Sequence, residues 1–207
     1  MLKELFARYP ALADCEADIT AVRDMMLNTY YAGGKILVCG NGGSAADCDH
    51  IAGELLKGFL SLRPMDEDTE EAFRETLGEE AEPFVRKLQG GIPAISLPAQ
   101  AAALSAFAND VDAEYMYAQL VMAYAVPGDM LLCLSTSGNS KNVVRAAQCA
   151  NALGIATAAL TGANESKLST LCGATVRAPE TETFKVQELH LPIYHYLCAA
   201  VEAAVFG

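Results

Sequence analysis

Between residues 2 and 31 the apolar positions recur at intervals of three and four: Leu2, Leu5, Phe6, then Ile19, Val22, Met25, Met26 and Tyr30. That spacing predicts helix, with Pro10 breaking or restarting it. Five short apolar runs follow, at Ile36–Cys39, Ala94–Leu97, Met130–Leu134, Ala156–Leu160 and Ala174–Arg177, each rich enough in Val, Ile, Leu or Ala to be a buried strand. The segments between them are long enough for helices and show helical spacing. Alternation of this kind implies an α/β three-layer sandwich, a parallel sheet covered on both faces. The last segment, Phe184–Phe206, reads as a final helix in which Pro192 must produce a kink or a restart. No internal repeat is present. One region breaks the pattern, residues 62–91, where an acidic, helical excursion (67–82) separates the first two strand units. A solvated face accounts for it; a lid or an oligomer contact is the sharper reading.

Composition bounds the function. A chain of 207 residues with 52% hydrophobic content supports one domain with one core. The net charge of −12 argues against nucleic-acid binding, which needs cations to displace counterions from phosphates, and an anionic membrane surface would repel it. Much of that charge is local, since residues 66–82 hold nine Asp/Glu against Arg74. Seven cysteines without a CxxC pair, and an opening MLKELFARYP with no apolar run, are expected of a chain kept in a reducing cytoplasm with its thiols buried. No stretch of about 18 apolar residues is expected to span a bilayer.

Candidate chemistry gathers at the ends of two strands. The first ends in Gly40-Asn41-Gly42-Gly43-Ser44 and opens a helix. Glycines there allow a tight turn and close approach of N–H groups to an anion, and Ser44 can cap the helix. The third ends in Ser135-Thr136-Ser137-Gly138-Asn139-Ser140. Its four hydroxyls suit hydrogen bonding to a phosphate ester, although a capping cluster would use the same residues. No GxxxxGK[ST] occurs, which excludes a P-loop. With a flavodoxin-type strand order, these loops meet at the topological switch point.

The three histidines, His50, His190 and His195, all lie in the two helices that would border that crevice. His50 and Glu54 share a helix face at a spacing of four. Gln187 and His195, eight apart, are roughly co-facial if the Pro192 kink is mild. The four could hold Zn²⁺, or Glu54 and a histidine could act as general base and acid. His190 either assists or packs. Asn109-Asp110 is a turn or a holder of sugar hydroxyls, and Thr161-Gly162 reads as a turn.

In this order, GNGGS at 40–44, HIAGE at 50–54, AFAND at 106–110, LSTSGNS at 134–140, ALTG at 159–162 and VQELHLPIYH at 186–195 resemble the SIS (sugar isomerase) domain family and, within it, the phosphoheptose isomerases. The resemblance implies one SIS domain over 1–207, apart from the excursion, with a five-stranded parallel sheet. It implies a homotetramer with active sites between subunits and a phosphosugar substrate, sedoheptulose 7-phosphate becoming D-glycero-D-manno-heptose 7-phosphate. It implies one zinc per subunit on His50, Glu54, Gln187 and His195, with Glu54 and His195 as the proton-transferring pair. Asn41, Gly42, Gly43, Ser44, Asp110, Ser135, Thr136, Ser137, Ser140 and Gln187 would contact substrate. Two positions depart from the family pattern. Gly58 stands where the isomerases carry Arg, with Lys57 beside it, and Phe184 stands where they carry Asp. A non-catalytic SIS phosphosugar sensor, or an adaptor for a replication initiator, is the competing expectation. The adaptor branch typically loses the equivalents of Glu54 and His195.

Overall fold

The computed structural model describes all 207 residues. Five parallel strands, β1 (Ile36–Gly40), β2 (Ala94–Ser96), β3 (Met130–Leu134), β4 (Ala156–Thr161) and β5 (Ala174–Arg177), form one sheet in the order β2-β1-β3-β4-β5. This is the flavodoxin-type order anticipated from the sequence, with strand ends shifted by a residue. It makes β1 and β3 neighbours, in register from Ile36↔Met130 to Gly40↔Leu134.

The two-residue alternation of the strands divides the core into two halves. Ile36, Val38, Met130, Leu132, Leu134, Ala158 and Leu160 face one side, packed under α1 (Leu2–Arg8), α2 (Glu16–Tyr31), α3 (Gly43–Leu56) and α10 (Thr183–Phe206). Leu37, Cys39, Leu131, Cys133 and Ala159 face the other, under α7 (Met116–Tyr124), α8 (Lys141–Ala152) and the short α9 (Lys167–Leu171). Helix α6 (Ala101–Phe107) completes that layer through Leu104. Because β1 and β3 are buried on both faces, every residue of each is core. Each large aliphatic side chain there contributes about 1.5–3 kcal/mol by leaving water.

Pro10 acts as predicted, and a 3₁₀ segment (Pro10–Cys15) separates α1 from α2. Pro192 does not restart the last helix, which runs unbroken for 24 residues with Pro192 inside it. The expectation of no membrane-length apolar stretch is corrected with it. Uninterrupted, α10 is long and apolar enough to cross a membrane by length and composition, but most of it is buried in the core, where an all-round apolar helix belongs.

The excursion folds as α4 (Glu67–Leu77) and α5 (Glu82–Lys87), neither with a buried residue. Asp66 caps α4 by accepting from the Thr69 amide, and Arg74 pairs with Glu70 and Glu82. Its ends are tied together by the Gly90 amide donating to the Arg63 carbonyl at 2.8 Å.

Candidate active site

The crevice beyond β1 and β3 is made largely of backbone. Gly42 takes φ of +58°, where a side chain is strained. A Cβ on Gly43 would lie 2.5 Å from the Gln187 amide nitrogen, so glycine here leaves room for the Gln187 side chain of α10 to rest on the turn. Gly42, not Ser44, is the N-cap of α3, and no side chain caps it; α8 likewise begins uncapped at Ser140. Ser44 is instead buried within the first turn. Two helix N-termini, each with partial positive charge, therefore open onto one crevice.

Reciprocal amide bonds of 2.8 and 2.9 Å between Asn41 and Asn142 join the two loops. In the second loop the Ser135 and Ser140 hydroxyls lie 3.0 Å apart. Ser137 is exposed, its oxygen accepting from the Asn139 amide at 3.2 Å. Behind Thr136, the Gly162 amide donates to the Thr136 carbonyl at 2.9 Å, so Thr161-Gly162 braces the phosphate-type loop rather than merely turning the chain. The buried Tyr117 hydroxyl donates to the Gly40 carbonyl at 2.6 Å. Asn142 and Tyr117 escaped the sequence reading; only their placement in three dimensions marks them.

A second group lies further along α3. His50 Nε2 is 3.1 Å from Glu54 Oε1, and the His50 and His195 rings meet edge to face with centroids 5.0 Å apart. Lys57 Nζ lies 3.3 Å from the other Glu54 oxygen. Burial lowers the pKa of His195, and the nearby His50 and Arg8 lower it too, against the raising effect of Glu54. The His195 imidazole is thereby held in its neutral form near neutral pH.

The Gln187 amide rests on Gly43, seven residues before His50 on α3. Ser44 and Glu54 are about 15 Å apart along α3. Asp110 sits in a π-helical turn (Ala108–Asp112), exposed, bonded to Asn109 and to neither loop. His190 is fully buried, its Nε2–H donating to the Thr161 carbonyl at 3.2 Å, which resolves it as a packing residue.

The donor chemistry can be tested against zinc. Two imidazoles and a carboxylate suit Zn²⁺, and His195 Nε2 is buried without a hydrogen-bond partner. No three acidic, His or Cys side chains already stand in metal-holding geometry, since His50 and Glu54 close on each other. His50, Glu54 and His195 fit such an ion in type and proximity.

The fold anchors Glu54 from below. Arg63 is fully buried, donating from Nη1 to the Leu55 carbonyl at 2.6 Å and from Nη2 to the Glu54 carbonyl at 2.9 Å. It thereby satisfies carbonyls that the end of α3 leaves free. Its Nε pairs at 2.8 Å with the buried Glu202, which also accepts from the amides of Phe59, Leu60 and Ser61. Burial would raise the Glu202 pKa, but the Phe59 and Leu60 amides and Arg63 outweigh it and hold the carboxyl low. This clamp explains the departure at Gly58. A Cβ there would lie 2.6 Å from the Ser61 carbonyl and 2.8 Å from Gln89 Oε1, so no Arg fits, and Lys57 supplies the cation beside Glu54. Phe184 is exposed at the start of α10, one turn before Gln187.

A flavodoxin-ordered sheet with a Gly-rich and a Ser-rich loop at its switch point defines a phosphosugar-binding SIS domain. Its profile matches residues 7–82 and 75–162. The chain belongs to the SIS domain family, and within it to the phosphoheptose isomerases. It is 34% identical over 194 residues to the phosphoheptose isomerase of Rhodospirillum rubrum, covering 94% of this chain and 89% of that one. To the phosphoheptose isomerase of Aneurinibacillus thermoaerophilus it is 35% identical over 188 residues, covering 91% and 82%. The solved phosphoheptose isomerase of Neisseria gonorrhoeae superposes with a TM-score of 0.73 at 26% identity, over 98% of this chain and 100% of that one.

Proposed function

We propose that this chain is an aldose–ketose isomerase that converts sedoheptulose 7-phosphate to D-glycero-D-manno-heptose 7-phosphate. The observation that carries the chemistry is the convergence of His50 and Glu54 of α3 with His195 of α10. Such an isomerase must remove a proton from the carbon beside a carbonyl and return one to the neighbouring carbon. Glu54 takes that proton. His195, poised in its neutral form, moves protons on the oxygens of the enediol. The hydroxyls of Ser135, Thr136, Ser137 and Ser140, with the uncapped helix starts, hold the phosphate; Asn41, Gln187 and Asp110 contact sugar hydroxyls.

We infer a zinc ion on His50, Glu54 and His195, with Gln187 as the further candidate ligand. When bound, it supplies positive charge to the developing enediolate. We infer also a homotetramer with sites shared between subunits. Two features support sharing. The phosphate loops and the proton-transfer pair stand about 15 Å apart along α3 within one chain. An apolar groove of about 340 Å³, lined by Met1, Phe59, Leu60, Leu191 and His195 among others, opens beside the catalytic histidine.

The deciding experiment is NMR of sedoheptulose 7-phosphate in D₂O with the protein, with added zinc and again with chelator. New aldose signals with deuterium at the transferred position are expected, lost with chelator. Absence of turnover, with line broadening of the sugar phosphate alone, would overturn the enzymatic reading.

A further inference from the structure

Two side chains behind the His50/Glu54 pair, Asp47 and Tyr194, form with His50 a hydrogen-bonded chain with a direction. Tyr194 is fully buried, and its hydroxyl lies 3.2 Å from Asp47 Oδ1 and 3.0 Å from His50 Nδ1. It has one proton for two neighbours. The other Asp47 oxygen is buried with no partner, so this carboxylate relies on Tyr194 for its hydrogen bond. The Tyr194 O–H therefore donates to Asp47, and its oxygen is left to accept. What it accepts is the Nδ1–H of His50.

A neutral imidazole protonated at Nδ1 carries its lone pair on Nε2. That lone pair points at Glu54 Oε1, 3.1 Å away. Two acceptors at that distance require a proton or a cation between them. Behind a ligating histidine, an oxygen acceptor on the far ring nitrogen fixes both tautomer and ring orientation. The histidine packing agrees, since the Tyr194 ring stands edge to face with both His50 and His195, at centroid distances of 5.4 and 5.0 Å.

We propose that Asp47 and Tyr194 are positioning residues that lock His50 in the Nδ1–H tautomer and so present its Nε2 as a cation ligand beside Glu54. Neither touches substrate; both act through His50. The cation itself rests on the zinc reading above, whereas the tautomer does not, and the test separates them.

Long-range ¹H–¹⁵N NMR of the metal-free protein, with His50 assigned by His50→Gln, reads which ring nitrogen carries the proton. Zinc affinity is read in parallel by competition with a chromophoric chelator. The wild type is expected to show Nδ1–H at His50. Tyr194→Phe, which keeps the buried ring, is expected to move the proton wholly or partly to Nε2 and to weaken zinc binding 10–100-fold, the range for loss of an outer hydrogen-bond partner. Asp47→Ala frees the Tyr194 proton to turn toward His50 and is expected to shift the tautomer the same way. A wild-type tautomer that survives both substitutions overturns the proposal, as does an Nε2–H tautomer in the wild type. If the tautomer responds as expected but no form binds zinc, the positioning role stands and the zinc reading falls.

Discussion

The first turn of α3 and its middle illustrate two ways of building a site on one helix. The first turn is made of backbone. Gly42 supplies a left-handed φ, Gly43 supplies the absence of a side chain, and what faces the crevice is amide and hydroxyl. The middle is made of side chains, with His50, Glu54 and His195 of two helices held by Asp47 and Tyr194 from one side and the Arg63–Glu202 clamp from below. A backbone site binds many phosphate esters alike. A side-chain site sets the chemistry, and it depends on buried polar groups that are costly to leave unmatched.

That difference can be broken at either end. Glu54→Gln removes the base but keeps its shape. Turnover is expected to fall on the order of 10²–10⁴-fold, with phosphosugar binding by calorimetry unchanged; a wild-type rate would remove Glu54 from the mechanism. Glu202→Ala leaves Arg63 buried and unpaired. It should cost about 3–5 kcal/mol in urea unfolding and lower turnover through the C-terminal end of α3.

The buried His190 sharpens the comparison through pH. Burial lowers its pKa from 6.5 to about 4, against the small raising effect of the Thr161 carbonyl. The unfolded chain takes up this proton first. Its contribution is therefore complete above about pH 6.5 and declines toward pH 4, by roughly 3 kcal/mol in all. Urea midpoints across that window check the slope, which His190→Gln should flatten. Ser137→Ala, at the backbone-built end, should have the smallest effect: phosphosugar affinity falls by roughly 1–3 kcal/mol with stability untouched. Equal affinity would place Ser137 outside the phosphate site.

The sequence by itself determined the strands, their parallel pairing class, the two loops at the switch point and the i,i+4 pair of His50 and Glu54. All of these rest on spacing within a few residues, which local geometry converts directly into structure. It left Pro192 as a kink or a restart; the restart does not occur, because a proline's cost to a helix can be met by packing, and α10 is buried along most of its length.

Tertiary structure alone decided the rest. Tyr194 meets Asp47 across 147 positions, and Arg63 meets Glu202 across 139. Each of these residues taken singly has an ordinary sequence context. Their significance comes from the low-dielectric interior, where a buried hydroxyl or charge must find a partner, and the fold of the whole chain decides which partner is within reach.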